Sequence, residues 1–66
     1  MNITINGQIK QIEKEITVID LLKEVNLNPD FTAVEKNGLI LSKEQYIKEP
    51  VQENDKLELI RFMEGG

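Results

Sequence analysis

Two glycines, Gly65 and Gly66, follow the alternating run Leu57-Glu58-Leu59-Ile60-Arg61-Phe62-Met63-Glu64 at the end of the sequence. If Gly66 bears the free C-terminal carboxylate, that acid sits on two residues without a β-carbon and passes through a channel too narrow for other side chains. It then acts as a chemical handle for another catalyst to load. The same two glycines at a frayed end would be mere disorder, so their meaning depends on the rest of the chain.

The remaining residues offer little other chemistry. The sequence contains no His, Cys or Trp, which removes the common nucleophiles, bases and metal ligands and leaves carboxylates, lysines, hydroxyls and Tyr46. An enzyme is hard to build from that set. No zinc site of the usual kind is expected, and no disulfide. The formal net charge of −4 and pI near 4.7 argue against nucleic acid, whose phosphates call for clustered Lys and Arg. The lysines at 10, 14, 23, 36, 43, 48 and 56 alternate with acids and read as a solvated surface. An acidic balance instead suits a protein partner with a basic cleft. No apolar run approaches the ~20 residues of a membrane span, and no basic-then-apolar leader follows Met1. The expected location is cytoplasmic.

A sequence of 66 residues supports one domain, which buries only about 60% of the surface its unfolded chain exposes. Its core must come from Ile, Leu and Val, with Phe31, Tyr46 and Phe62 as the aromatics. Asn2-Ile3-Thr4-Ile5-Asn6 alternates as a half-buried strand with Ile3 and Ile5 facing the core. Asn6-Gly7 is a hairpin signal, because both central residues of a type I′ turn need positive φ. Ile9, Ile12 and Ile16 are spaced like a helix face, yet the preceding turn and the β-branching favour a second strand, bulged near Lys10 or Gln11. Thr17 caps a helix, with Asp20 at its positive end and Val18, Leu21, Leu22 and Val25 as its apolar stripe. Asn26 closes that helix in the left-handed region and Pro29 forbids continuation.

Phe31–Lys36 reads as a strand, Asn37-Gly38 as a second hairpin turn into Leu39-Ile40-Leu41, and Ser42-x-x-Gln45 as the start of a helical turn through Tyr46. After Pro50, the turn Glu53-Asn54-Asp55 leads into a final strand from Lys56 to Met63. The order predicts an α+β domain over 1–66, with one main helix packed across one face of a mixed sheet. In the last strand Leu57 and Leu59 face the core, which leaves Glu58, Ile60 and Phe62 on the open face. Ile60 and Phe62, with Met63, Glu64 and Gly65, are the candidate partner-binding residues beside Gly66. Residues 63–66 are expected to form a flexible tail that reaches roughly 13 Å when extended. Tyr46, Lys36 and Arg61 are assigned packing or solvation only, with both cations at the surface.

These residues resemble the ThiS family, the small ubiquitin-like sulfur carriers of thiamin biosynthesis. The resemblance is carried by Ile3-Thr4-Ile5-Asn6-Gly7, Thr17-Val18-Ile19-Asp20-Leu21-Leu22, Ala33-Val34-Glu35-Lys36-Asn37-Gly38, Asp55 and Gly65-Gly66, in that order along the whole chain. Asn54 stands where Gly is common and Tyr46 where Trp is frequent. The resemblance implies a β-grasp fold and a non-enzyme that serves as co-substrate. Gly66 would be adenylated by an E1-like adenylyltransferase that uses ATP, then converted to a thiocarboxylate with sulfur from a persulfide donor. A thiazole synthase would take that sulfur. No cofactor or metal is expected on the carrier itself, and the lack of Cys keeps sulfur on the main-chain terminus.

Three other readings stay open at this level: the molybdopterin-synthase type of sulfur carrier, a ubiquitin-like modifier joined to lysines, and a plain binding module whose tail is idle.

Overall fold

The computed structural model describes residues 1–62. The readings placed on Met63, Glu64, Gly65 and Gly66 lie outside the described residues. The chain order is β1 (Asn2–Ile5), β2 (Gln8–Gln11), β3 (Ile16–Thr17), α1 (Val18–Glu24), a 3-10 turn (Pro29–Phe31), β4 (Thr32–Lys36), β5 (Leu39–Ile40), α2 (Lys43–Tyr46), β6 (Pro50–Val51) and β7 (Lys56–Arg61).

Both Asn-Gly pairs make the turns that their chemistry predicts. Asn6 and Gly7 have φ of 49° and 83°, and Asn37 and Gly38 have 51° and 87°. These are left-handed values that Asn tolerates and Gly adopts without strain. The first turn pairs β1 with β2, and the second pairs β4 with β5. Asn26 and Asn54 take the same conformation, at 62° and 68°. Asn26 ends α1 as expected, and Asn54 turns the chain into β7.

Five strands form one sheet in the order β2-β1-β7-β4-β5. β1 and β7 are parallel and every other pair in this sheet is antiparallel. This is the β-grasp arrangement, a mixed sheet with α1 across one face. The Thr17 cap is reciprocal: its hydroxyl accepts from the Asp20 N–H at 3.3 Å, while the Asp20 carboxylate accepts from the Thr17 N–H at 3.5 Å. A helix of seven residues does not persist alone in water, so α1 depends on docking. Val18, Leu21 and Leu22 are fully buried, packed with Ile3, Val34, Leu57 and Leu59 of the sheet and with Tyr46 and Val51. Each such side chain contributes about 1.5–3 kcal/mol through burial.

The segment after β2 differs from the expected bulged strand. Ile9 lies in β2 opposite Thr4 and is exposed, Ile12 is buried just beyond that strand, and Ile16 belongs to β3. β3 pairs with β6 as a separate two-stranded sheet, Ile16 opposite Val51 and Thr17 opposite Pro50. The three- and four-residue spacing of the isoleucines thus records a strand, a bend and a second short strand.

Candidate functional site

The strand that leads to the glycines lies in the middle of the sheet, between β1 and β4. Its inward side chains, Leu57 and Leu59, are buried, and its outward Ile60 is 57% exposed. The alternation read from sequence therefore holds.

Three sets of contacts fix β7. At its start, Lys36 reaches inward from the end of β4. Its ammonium donates to Glu49 Oε2 at 2.9 Å and to the Pro50 carbonyl at 2.7 Å, and lies 3.5 Å from Asp55 Oδ2. Lys36 is thus no solvated cation, contrary to the sequence expectation; the register that sets Lys36 opposite Leu57 turns it toward the core face. Burial alone would lower its pKa, but the Glu49 hydrogen bond and the Asp55 and Glu49 charges outweigh that and hold it above the ordinary lysine value. Burial pushes the Asp55 carboxyl upward, yet hydrogen bonds from Asn37 and the Gln52 N–H, together with Lys36, bring it below the usual carboxylate value. Asn37 joins the same network, donating to Asp55 Oδ1 and accepting from the Lys56 N–H, both at 2.9 Å.

In the middle of β7, the Asn6 carboxamide pairs with the backbone of Leu59. Its nitrogen donates to the Leu59 carbonyl at 3.1 Å, and its oxygen accepts from the Leu59 N–H at 2.8 Å. The β1–β7 register runs only through Thr4–Lys56 and Ile5–Leu57. One side chain therefore continues the pairing where the neighbouring strand has already turned away.

At the far end, the Phe62 N–H donates to the Phe31 carbonyl at 3.0 Å. The two rings meet edge to face with centroids 6.2 Å apart, a favoured aromatic geometry. Phe62 remains 44% exposed. Behind this contact, Thr32 stands opposite Arg61 and its carbonyl accepts from the buried Tyr46 hydroxyl at 2.7 Å. Burial raises the Tyr46 phenol above its ordinary value.

The structure thus places Ile60 and Phe62 at the exposed end of a rigidly held strand. Gly66, Gly65, Glu64 and Met63 belong to the undescribed residues. Sequence reasoning assigned no positioning role to Asn6, Lys36 or Phe31. Asn6 was legible as a turn residue, but its grip on Leu59 spans a sequence distance of 53 residues and leaves no local signal. Among the described residues, no group of three or more His, Cys, Asp or Glu could hold a metal ion. None of the described helices is long and apolar enough to cross a membrane.

A model of the ThiS family matches residues 3–66. The chain is similar to two proteins named thiazole synthase. It is 36% identical to that of Paramagnetospirillum magneticum and 33% identical to that of Magnetococcus marinus, in each case over 100% of this chain and 20% of the relative. It therefore spans about one-fifth of the length of these curated relatives. A crystal structure of the thiamine biosynthesis protein ThiS from Geobacter metallireducens superposes with a TM-score of 0.86 at 30% identity, covering 100% of both chains. A solution structure of a thiamine biosynthesis protein from the same organism gives 0.82 at 30% identity, covering 100% of this chain and 88% of that one.

Proposed function

The chain belongs to the ThiS family, and on that premise we propose that it is a sulfur carrier whose Gly66 carboxylate is adenylated and converted to a thiocarboxylate for thiazole formation. The observation that carries this reading is the family match through residue 66, together with the glycines at 65 and 66. The similarity to one-fifth of two thiazole synthases supports a thiazole synthase as the acceptor of sulfur.

A terminal carboxylate has a pKa near 3.5 and is ionised at neutral pH, which makes it a poor target for a nucleophile. In the proposed cycle an E1-like adenylyltransferase joins it to the α-phosphorus of ATP and releases pyrophosphate. The outer sulfur of a protein persulfide then attacks the acyl carbon and expels AMP. A thiol reduces the resulting S–S bond, is itself oxidised to a disulfide, and frees the thiocarboxylate. The carrier holds no cofactor and provides no catalytic side chain; its part is to present the end of β7. Ile60, Phe62, Met63, Glu64 and Gly65 meet the partner, and all steps take place in the cytoplasm.

Intact mass after incubation with the adenylyltransferase, ATP and a persulfide donor tests the reading. Exchange of one oxygen for sulfur at Gly66 is the expected result, and a chain lacking Gly66 should remain unmodified. A truncated chain that still delivers sulfur would overturn it.

A further inference from the structure

We propose that the Asn37-Gly38 turn is a site of spontaneous covalent modification, at which the Gly38 backbone nitrogen closes on the Asn37 carboxamide to form a cyclic imide. The fold directs this chemistry to Asn37 and away from the same dipeptide at Asn6-Gly7. It is independent of the proposed sulfur cycle.

The two turns are built alike. Asn6 and Asn37 both lie in the left-handed region, at φ of 49° and 51°. Each is followed by a glycine, whose lack of a β-carbon leaves its nitrogen open to approach the side chain. Both asparagines fasten to β7. The Asn6 N–H donates to the Leu57 carbonyl at 3.0 Å, and the Asn37 N–H donates to the Lys56 carbonyl at 2.8 Å. Each carboxamide oxygen accepts from a β7 amide, that of Leu59 at 2.8 Å for Asn6 and that of Lys56 at 2.9 Å for Asn37.

The difference lies at the carboxamide nitrogen. In Asn6 it donates to the neutral carbonyl of Leu59. In Asn37 it donates to Asp55 Oδ1 at 2.9 Å, and Lys36 Nζ stands 3.5 Å from the other oxygen of that carboxylate. In imide formation the Gly38 nitrogen gives up its proton and bonds to Asn37 Cγ. The Cγ–Nδ2 bond then breaks, and the nitrogen takes up a proton and leaves as ammonia. Water opens the imide at either carbonyl to give aspartate or isoaspartate, with no oxidation or reduction. Along this path negative charge grows on Asn37 Oδ1 and positive charge on the departing nitrogen. The Lys56 N–H faces the first and the Asp55 carboxylate faces the second, with a full charge that the Leu59 carbonyl lacks.

The turns also differ in what must open. Gly38 leads into β5, a two-residue strand at the edge of the sheet whose Leu39 and Ile40 are 72% and 79% exposed. Gly7 leads into β2, which pairs with β1 over four residues. That pairing is closed by reciprocal hydrogen bonds between Met1 and Ile12, at 2.7 and 2.8 Å. A short exposed pairing opens locally at lower cost than a longer one, so Gly38 reaches the attacking geometry more often than Gly7. The aspartate product sets a second carboxylate against Asp55, where an amide donor stood, and the two repel. Modification thereby loosens the start of β7.

Peptide mapping by mass spectrometry of the protein aged at mildly alkaline pH, folded and in urea, tests the assignment. The ratio of aspartate plus isoaspartate formed from Asn37 to that formed from Asn6 is expected to be at least about tenfold higher in the folded protein than in urea. In urea only the shared Asn-Gly chemistry remains. A smaller difference, a reversed order, or a folded protein unmodified at Asn37 overturns the assignment. Asn37→Asp, which installs the aspartate product directly, should unfold at a lower urea concentration than wild type. Equal stability of the two would overturn the consequence for β7.

Discussion

Asn6 holds Leu59 by both of its backbone groups, through hydrogen bonds of 2.8 and 3.1 Å. The same residue has φ of 49° in the first hairpin turn. One side chain therefore joins the start of the fold to the strand that leads to the two glycines. Replacing Asn6 with Gly preserves the turn and removes only the grip. Asn6→Gly should destabilise the domain by about 1–3 kcal/mol in urea denaturation. It should also speed hydrogen exchange at the Leu59 amide. Unchanged protection of that amide would show that the grip contributes nothing.

The charged network at the start of β7 predicts a pH dependence of stability with a definite sign. Asp55 has a folded pKa below its unfolded value of about 3.9. Its contribution is present above that unfolded value and disappears as pH falls through the folded one. Lys36 is shifted the other way. Its contribution is complete below an unfolded value of about 10.4 and is lost as pH rises through the folded value. Urea denaturation of wild type and Asp55→Asn should differ fully at neutral pH and converge below about pH 4. A constant difference across that range would remove Asp55 from the account.

Removing Lys36 should be more damaging than removing an ordinary surface lysine. Lys36→Met leaves Glu49 and Asp55 partly buried without their cation and leaves the Pro50 carbonyl unpaired. A loss of about 3 kcal/mol is expected, against less than about 0.5 kcal/mol for Lys14→Met. Equal stabilities for the two variants would return Lys36 to the solvated surface.

Tyr46 separates packing from hydrogen bonding. Tyr46→Phe retains the buried ring but leaves the Thr32 carbonyl without its 2.7 Å donor, a loss of about 1 kcal/mol. Tyr46→Ala also empties a core position and should cost about 3–5 kcal/mol. Chemical denaturation of the pair gives the ratio directly, and a Tyr46→Phe variant as stable as wild type would assign the residue to packing alone.

Phe62 is expected to act at the partner interface. Phe62→Asp should weaken the complex with the activating enzyme, with the far-ultraviolet circular dichroism spectrum unchanged. Because Phe62 also rests on Phe31, Phe31→Leu serves as the companion variant, preserving bulk while removing the edge-to-face contact. Affinity that survives Phe62→Asp would make the exposed ring incidental.

The parts of this fold governed by neighbouring residues were legible in the sequence. The Asn-Gly turns, the Thr17 cap, the Asn26 stop and the alternation of Leu57 and Leu59 against Ile60 all follow from local backbone or side-chain geometry, and the structure has each of them. Ile9, Ile12 and Ile16 do not share one bulged strand as expected, because β2 and β3 pair with different strands, a long-range choice that the local turn and the β-branching do not encode. Lys36 was placed at the surface because composition says nothing about which face a strand terminus presents. Its position follows from its register with Leu57.

The placement of β7 between β1 and β4 has a further consequence during synthesis. Every other described element leaves the ribosome before it, yet β1 and β4 have no hydrogen-bonded contact until it arrives to join them. Up to that moment Leu57 and Leu59 are missing from the core, and the nascent polypeptide has only hairpins and a short helix to hold. Closure of the sheet is thereby timed to the emergence of the strand that brings Leu57 and Leu59 to the core.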